Sequence, residues 1–215
     1  LVSIGGKPMV EHTFDLINSL DGLVLPFVST DSPEILDLAA AKGFPFDYLR
    51  PDELATDEAP VIDAVFHALD WLEEKHGFLP SKVLMLQPTS PLRTKDQVVQ
   101  ALDSFSNLGC KSLVSVHAMR EHPYECAQLS GGDWTFLKTP ATIVTRRQDY
   151  QEKFFYIDGS IYLATTDFLW CRGGFVLQGE TELYEVDSRY SVDIDEPEDL
   201  AVADALLRLR SSLND

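Results

Sequence analysis

Lys82-Val-Leu-Met-Leu-Gln87, followed directly by Pro88-Thr-Ser-Pro-Leu-Arg93, is the stretch of this 215-residue chain that decides its fold class. Residues 82–87 form a nearly continuous apolar run, and such strands are usually buried on both faces of a parallel sheet. The loop that follows would lie beyond the carboxyl end of the strand, where open α/β sheets bind ligands. Two interpretations of this loop have equal weight. It is either a binding loop, whose Gln87, Thr89 and Ser90 side chains form hydrogen bonds, or a plain turn stiffened by its prolines.

Alternating strand and helix patterns surround this stretch. Further strands are predicted at 22–29, 44–49, 112–116, 160–164, 182–186 and 191–194. Helices are predicted from Pro33, with Ser32 as its cap, to a stop at Gly43, and at 57–75 with a stop at Gly77. Two more are predicted from a Thr94–Gln97 capping box to about Gly109 and at 197–210. This rhythm predicts an α/β fold, with a mostly parallel, twisted sheet that carries helices on both faces. The length suits a single domain spanning residues 1–215.

The rhythm breaks between residues 118 and 158, and we predict an inserted subdomain there. Residues 126–137 have the pattern of a β-hairpin around a Ser-Gly-Gly-Asp turn. The insertion is too small and polar to pack alone, yet it is rich in aromatic residues: Tyr124, Trp134, Phe136, Phe154, Phe155 and Tyr156. Exposed aromatic side chains that cluster in one segment usually contact a partner, so we predict a homodimer built partly on this insertion.

The composition excludes several classes of partner. Seventeen basic residues against 35 acidic ones give a formal net charge of −18, which argues against nucleic acids and anionic membranes. A small anionic substrate remains compatible, because a bound metal ion and a few arginines can invert the local field. Three widely spaced cysteines do not indicate a disulfide framework, so we predict a reducing, cytoplasmic compartment. No apolar run approaches the ~20 residues of a membrane span.

Two carboxylates near the end of the chain are the candidate metal ligands. If residues 191–195 form a strand, Asp193 and Asp195 project from the same face, just before a helix that starts at Pro197. Two hard carboxylates with room for waters suit Mg²⁺ that is shared with substrate phosphates. Taken alone, the tripeptide is better interpreted as a solvated acidic strand end, and the metal hypothesis gains weight only from the other motifs.

Three further residues are candidates for substrate binding. Arg50 lies in a strand-to-helix loop, where it could bind phosphate or a nucleotide, although an isolated surface arginine is usually solvated. Arg147 belongs to the basic stretch Arg146-Arg-Gln-Asp149 and could grip a carboxylate or phosphate; pairing with the chain's own carboxylates is the alternative. Tyr162 follows the Asp158-Gly159 turn, and a buried core tyrosine is its simpler interpretation.

Taken together, these motifs resemble the cytidylyltransferases that activate acidic nine-carbon sugars, typified by CMP-N-acetylneuraminate synthetase. The resemblance runs from about residue 5 to residue 200, and its most specific members are QPTSPLR, RRQD and VDID in that order. The other matching stretches are Gly5 to Pro8, Val28 to Asp31, Arg50-Pro51 with Leu54 to Asp57, His67 to Leu69, Glu121 to Tyr124 and Gly159 to Tyr162.

The resemblance implies a Rossmann-like nucleotidyltransferase fold with an inserted dimerisation subdomain, and transfer of CMP from CTP to a sialic-acid-type sugar with release of pyrophosphate. By similarity, Asp193 and Asp195 would be catalytic and hold Mg²⁺ on the triphosphate. Arg50, Gln87, Thr89 and Ser90 would bind the nucleotide. Gln87, Arg147 and Tyr162 would bind the sugar acid. The general base could be an aspartate, a metal-bound hydroxide or no group at all.

The chain departs from the family pattern in two places. The family's N-terminal strand and basic phosphate loop do not occur, and because Leu1 is an unusual start, we expect a native segment upstream of it. Asp158 stands where the family usually has asparagine, which leaves legionaminate-, pseudaminate- and KDO-type acids open as substrates. Two alternatives are a non-catalytic nucleotide- or sugar-binding relative and a metal-dependent glycosyltransferase, although the latter accounts only for the aspartate pair.

Overall fold

The computed structural model describes residues 1–139, 146 and 149–214, the last four by their backbone alone. Six α-helices and eight strands are assigned within this part of the chain. The helices are α1 (Met9–Ser19), α2 (Pro33–Ala41), α3 (Val61–His76), α4 (Lys95–Leu108), α5 (Thr166–Arg172) and α6 (Pro197–Asn214). The strands are β1 (Ser3–Ile4), β2 (Lys7–Pro8), β3 (Lys82–Met85), β4 (Ser112–Ala118), β5 (Ala127–Ser130), β6 (Asp133–Phe136), β7 (Phe155–Thr165) and β8 (Glu182–Glu185).

The α/β class is confirmed, but the central sheet is mixed rather than mostly parallel. Its four strands have the order β3-β7-β4-β8, and only the β4–β8 pair is parallel. The long strand β7 runs antiparallel to both of its neighbours. Parallel neighbours need a crossover connection, usually a helix, and the described residues between β4 and β7 contain no α-helix. Strand β7 therefore returns beside β4 in the opposite direction.

Three of the predicted strands are wrong. Residues 22–29 and 44–49 form no ladder, and only an isolated parallel bridge joins Thr30 to Leu49. Residues 191–195 are an irregular segment, because the Ile194 amide donates to the Thr89 carbonyl, 2.9 Å away, instead of to a neighbouring strand. The predicted helix at 57–75 begins only at Val61, with Pro60 at its N-cap.

The helix-capping predictions are confirmed. The Ser32 side chain accepts a hydrogen bond from the Ile35 amide at the start of α2. Thr94 forms the predicted capping box with Gln97 at the start of α4. Both α3 and α4 end at a glycine in the left-handed region, Gly77 and Gly109, where a side chain would be strained. Local sequence thus sets the ends of these helices.

Successive side chains of β7 point to opposite faces of the sheet, and helices cover both faces. Ile161 and Leu163 face a buried cluster that includes Phe105 of α4. Ala164 packs on the opposite side in a cluster that includes Leu169 of α5, and Tyr162 is packed against that cluster. None of the helices in the described part of the chain is long and apolar enough to cross a membrane.

The insertion contains the predicted hairpin, formed by β5 and β6 as a separate two-stranded sheet. Its large apolar side chains are exposed: Leu129, Trp134, Phe136 and Leu137. Exposed apolar side chains in this segment are what the predicted contact with a partner chain requires. The dimer itself stays a prediction.

Candidate active site at the Gly159 turn

Gly159 is the point at which three of the predicted site residues meet. Its backbone has a φ of 71°, in the left-handed region that glycine adopts without strain. An ideal Cβ at this position would lie 3.3 Å from Gln87 Oε1, 3.7 Å from Asp193 Oδ2 and 3.7 Å from the Tyr162 hydroxyl. The absence of a side chain therefore leaves a small hollow lined by an amide, a carboxylate and a phenol.

Each of these three side chains comes from a different element. Gln87 lies two residues beyond the end of β3, at the carboxyl end of that strand. Tyr162 pairs with Met85 of β3 and with Val114 of β4, so the sheet register fixes its position. Asp193 belongs to the segment that is anchored to the loop after β3 by the Ile194–Thr89 backbone hydrogen bond. Sheet register and this anchor together bring the three groups to one place.

Arg93 lies beneath this site, and the sequence analysis did not single it out. Its side chain is 5% exposed and donates hydrogen bonds to the carbonyl oxygens of Ser160 and Gln87 and to the Thr13 hydroxyl. Burial lowers the pKa of the guanidinium to about 10, although the nearby Asp158 and Asp193 carboxylates oppose the shift. Arg93 thus stays a cation at neutral pH. It ties the loop after β3 to the Gly159 turn and offsets the negative charge of the site.

Asp158 is the centre of a buried polar network that the sequence analysis also missed. The carboxylate accepts hydrogen bonds from the Ser115 hydroxyl, from the Ser160 amide at 3.0 Å and from the Ser191 hydroxyl at 2.8 Å. Nδ1 of His117 lies 2.7 Å from the same Ser191 oxygen. Because buried carboxylates need such partners, the network fixes both the turn at Gly159 and the start of the segment that carries Asp193.

The Tyr162 hydroxyl is suited to donate a hydrogen bond. Burial raises the pKa of this phenol, and the negative charges of Asp193 and Asp158 raise it further. Its ring packs against Phe175, with the ring centres 5.6 Å apart, so the body of the side chain belongs to the core. The core interpretation of Tyr162 is therefore confirmed for its ring, and its hydroxyl lies near Gln87 and Asp193 at Gly159.

The predicted metal ligands lie on the surface of the site. Asp193 and Asp195 are exposed while Ile194 between them is buried, so they share the solvent side as predicted, although no strand forms. The Asp195 amide donates to Asp199 Oδ2 at 3.1 Å, which holds the residue at the start of α6. Within the described ranges, no group of three or more His, Cys, Asp or Glu side chains is arranged to hold a metal ion. Two carboxylates fit Mg²⁺ only when phosphate and water oxygens complete its shell.

The remaining predicted residues do not join the Gly159 hollow by any described contact. Arg50 forms an ion pair with Asp31 at 3.1 Å, beside the isolated bridge between Thr30 and Leu49. Thr89 contributes its carbonyl to the Ile194 anchor. Ser90 is 1% exposed, and its hydroxyl has no partner among the described residues. Arg147 lies outside the described residues.

Comparison with known sequences finds one family and a set of relatives. The sequence profile of the family described as "Cytidylyltransferase" matches residues 1–208. CMP-N,N'-diacetyllegionaminic acid synthase of Legionella pneumophila is 30% identical over 206 residues, which cover 96% of this chain and 88% of the relative. Pseudaminic acid cytidylyltransferase of Campylobacter jejuni is 25% identical over 213 residues, or 97% of this chain and 89% of the relative. N-acylneuraminate cytidylyltransferase of Streptococcus agalactiae is 27% identical over 201 residues, or 93% of this chain, which spans only 47% of that relative.

Solved structures give the same fold at low sequence identity. A CMP:2-keto-3-deoxy-manno-octonic acid synthetase complexed with CTP matches with a TM-score of 0.68 and 16% identity, over 98% of this chain and 91% of that one. The 4-diphosphocytidyl-2C-methyl-D-erythritol synthase of Anaerococcus prevotii matches with a TM-score of 0.64 and 12% identity, over 96% and 92%. At these identities the structural likeness shows the nucleotidyltransferase fold alone.

Proposed function

The chain belongs to the cytidylyltransferase family, and from that premise we propose that it transfers CMP from CTP to the anomeric hydroxyl of a nine-carbon sugar acid. The enzyme class is that of the nucleotidyltransferases. In the proposed reaction the sugar oxygen forms a bond to the α-phosphorus, the bond between this phosphorus and the bridging oxygen to the β-phosphate breaks, and pyrophosphate leaves. The observation that carries the proposal is the family match over residues 1–208, together with the meeting of Gln87, Tyr162 and Asp193 at Gly159.

The proposed roles follow the chemistry of each side chain. Phosphoryl transfer needs mainly positioning and neutralisation of charge. Asp193 and Asp195 would hold Mg²⁺, which supplies positive charge next to the triphosphate when it is bound. The Gln87 amide and the Tyr162 hydroxyl would donate hydrogen bonds to the sugar acid. Arg147 would grip its carboxylate, since bidentate arginine is the usual partner of that group.

We propose that the nucleotide binds to the loop after β3 and to Arg50. Arg50 already pairs with Asp31, and we propose that a phosphate or ribose oxygen of CTP competes with this carboxylate for the guanidinium. Thr89 would face the nucleotide directly. Since the Ser90 side chain is buried, its proposed contribution is to hold the loop in shape. Arg93 would keep that loop attached to the turn at Gly159.

The names of the relatives point to three candidate sugar substrates. Relatives of this chain are named for legionaminic, N-acylneuraminic and pseudaminic acids, all of which are acidic nine-carbon sugars. We propose that one of the three is the substrate. A non-catalytic relative is not favoured, because the family match spans the chain and the three site residues converge.

Pyrophosphate release by the full-length protein tests the proposed function. Each sugar acid is supplied with CTP and Mg²⁺, and parallel reactions contain UTP or ATP in place of CTP. We expect release with CTP and one of the three acids, and formation of a CMP–sugar product in ³¹P NMR spectra. No product with any of the acids, or equal rates with UTP and ATP, would contradict the proposal.

The assembly and the compartment remain part of the proposal. The exposed apolar side chains of the β5–β6 hairpin, such as Leu129 at 82% and Trp134 at 55% exposure, support the proposed homodimer. Light scattering at micromolar concentration should give the mass of two chains. Trp134→Ser should shift the protein towards the monomer, whereas a monomeric wild type would refute the assembly. We also propose that the enzyme is cytoplasmic, where CTP is made.

A further inference from the structure

A cavity lies at the carboxyl end of β4. It has a volume of about 230 Å³ and is lined by His117, Met119, Arg120, Glu121 and Tyr156. This volume is below the ~300 Å³ of the smallest usual pockets for whole ligands, so the cavity suits one part of a larger molecule. His117 contacts Ser191, which lies two residues before Asp193 and therefore within about 7 Å of it along the chain.

The hydrogen bonds of the Ser191 hydroxyl show that Nδ1 of His117 carries a hydrogen. The Ser191 hydroxyl has one hydrogen, which it donates to Asp158 Oδ2 at 2.8 Å. The bond of 2.7 Å between this hydroxyl and His117 must then have Nδ1–H as its donor. With Nδ1 bound to Ser191, Nε2 is the ring nitrogen that remains to hydrogen-bond a ligand. No partner for Nε2 lies among the residues that the structure describes, and His117 lines the cavity.

The charges around the cavity indicate an uncharged occupant. Arg120 and Glu121 both line the cavity, so the formal charges of the lining cancel, which suits an uncharged group. Tyr156 lies opposite His117 in the β4–β7 ladder, with the two ring centres 5.6 Å apart. The Tyr156 side chain is 59% exposed and can cover the carbon atoms of a polyol chain. The cavity thus combines an aromatic wall with one ring nitrogen, His117 Nε2, that is held in place for hydrogen bonding.

We propose that this cavity is a specificity subsite for the uncharged exocyclic arm of the sugar acid, and that His117 Nε2 forms a hydrogen bond with one of its hydroxyl groups. The inference rests on the proposed function, because the arm extends from the sugar whose anomeric hydroxyl reacts at Gly159. Ser191 and Asp158 act as positioning residues that orient the imidazole. An arm with a different pattern of hydroxyl groups would lose this bond.

The variant His117→Asn tests the subsite. Asparagine can keep a donor near the position of Nδ1 for Ser191, but it has no atom at the position of Nε2. With the sugar acid that the pyrophosphate-release assay identifies as substrate, we expect KM for the sugar to rise about 3- to 10-fold, as the loss of one neutral hydrogen bond predicts, while KM for CTP stays unchanged. With an analogue whose exocyclic chain is shortened by two carbons, wild type and variant should give the same KM. His76→Asn is the matched control, since His76 belongs to a distant cluster of aromatic rings.

Three kinetic results would each overturn the inference. Equal losses for both sugars, or a matching rise in KM for CTP, would give His117 a structural role only, and unchanged constants would remove it from the site. Saturation-transfer NMR with each of the three sugar acids separates this outcome from failure of the proposed function, because it needs no turnover. Signals from the exocyclic protons that weaken in His117→Asn would support the subsite even in an inactive protein. Their absence in the wild type would contradict it.

Discussion

Adding a single methyl group at Gly159 is the sharpest perturbation of the candidate active site. In Gly159→Ala, the new Cβ would lie 3.3 Å from Gln87 Oε1 and 3.7 Å from both Asp193 Oδ2 and the Tyr162 hydroxyl. The first distance is tighter than an ordinary van der Waals contact, so the Gln87 amide must move by a few tenths of an ångström. The substitution therefore occupies the hollow without removing any of the side chains that line it.

The cost to stability and the cost to activity have different origins. A φ of 71° costs a residue with a Cβ about 1–2 kcal/mol, and the lower entropy of the unfolded alanine chain offsets about 0.4–1 kcal/mol of this. We expect a net loss of about 1 kcal/mol in the free energy of unfolding. A misplacement of a reacting group by ~1 Å can reduce a rate ~100-fold. The shift of Gln87 is smaller, but the methyl group also displaces the sugar, so we expect kcat/KM for the sugar to fall at least ~10-fold.

Gly173→Ala is the matched control for this experiment. Gly173 has nearly the same φ, 69°, but its Cβ would meet nothing within 4 Å. Urea denaturation should show similar losses of stability in both variants, whereas steady-state assays of pyrophosphate release should show lost activity only in Gly159→Ala. Equal activity of the two variants would refute the placement of the sugar acid at the Gly159 turn.

Three further predictions address metal, carboxylate and pH. Asp195→Asn should reduce turnover ~100-fold or more with unchanged folding, because metal ligation is worth several kcal/mol. Glu198→Gln is the control variant. Activity of Asp195→Asn within a few-fold of wild type would exclude Asp193 and Asp195 from the mechanism. Arg147→Ala should weaken the sugar acid ~30- to 150-fold, the equivalent of 2–3 kcal/mol, and leave KM for CTP nearly unchanged. Arg147→Lys should restore only part of the loss, and equal effects on both substrates would contradict the role. Burial lowers the pKa of His12 in the folded protein, so the unfolded chain takes up a proton on this side chain at a higher pH. The free energy of unfolding should therefore fall as the pH drops below about 6.5. Urea denaturation at pH 7.5 and pH 5.0 should show a smaller fall in His12→Gln than in the wild type, and an identical fall would contradict this role of His12.

Local signals predicted the helices well and several strands poorly. The caps at Ser32 and Thr94 and the stops at Gly77 and Gly109 involve only neighbouring residues, so one sequence contains the information needed. A strand needs a partner edge that lies elsewhere in the chain. Residues 22–29 are apolar, but they form no ladder, and Leu23 and Leu25 remain more than half exposed.

The site shows the same division between local and distant information. Gln87, Tyr162 and Asp193 were predicted from their motifs, yet their meeting at Gly159 depends on the register of β7 with β3 and on the Ile194–Thr89 anchor. Arg93 and His117 were missed, and Asp158 was noted only as a departure from the family pattern, because their importance comes from burial and from partners distant in sequence. The replacement of the usual asparagine by Asp158 was the one signal in the sequence that pointed to this network.

The most direct test of the central claim is a crystal structure of the full-length protein with its CMP–sugar product and Mg²⁺. We predict that the sugar lies at the Gly159 turn, within hydrogen-bond distance of Gln87 and Tyr162, and that the phosphate lies beside Asp193. A product bound elsewhere, without contact to any of these three side chains, would contradict the account.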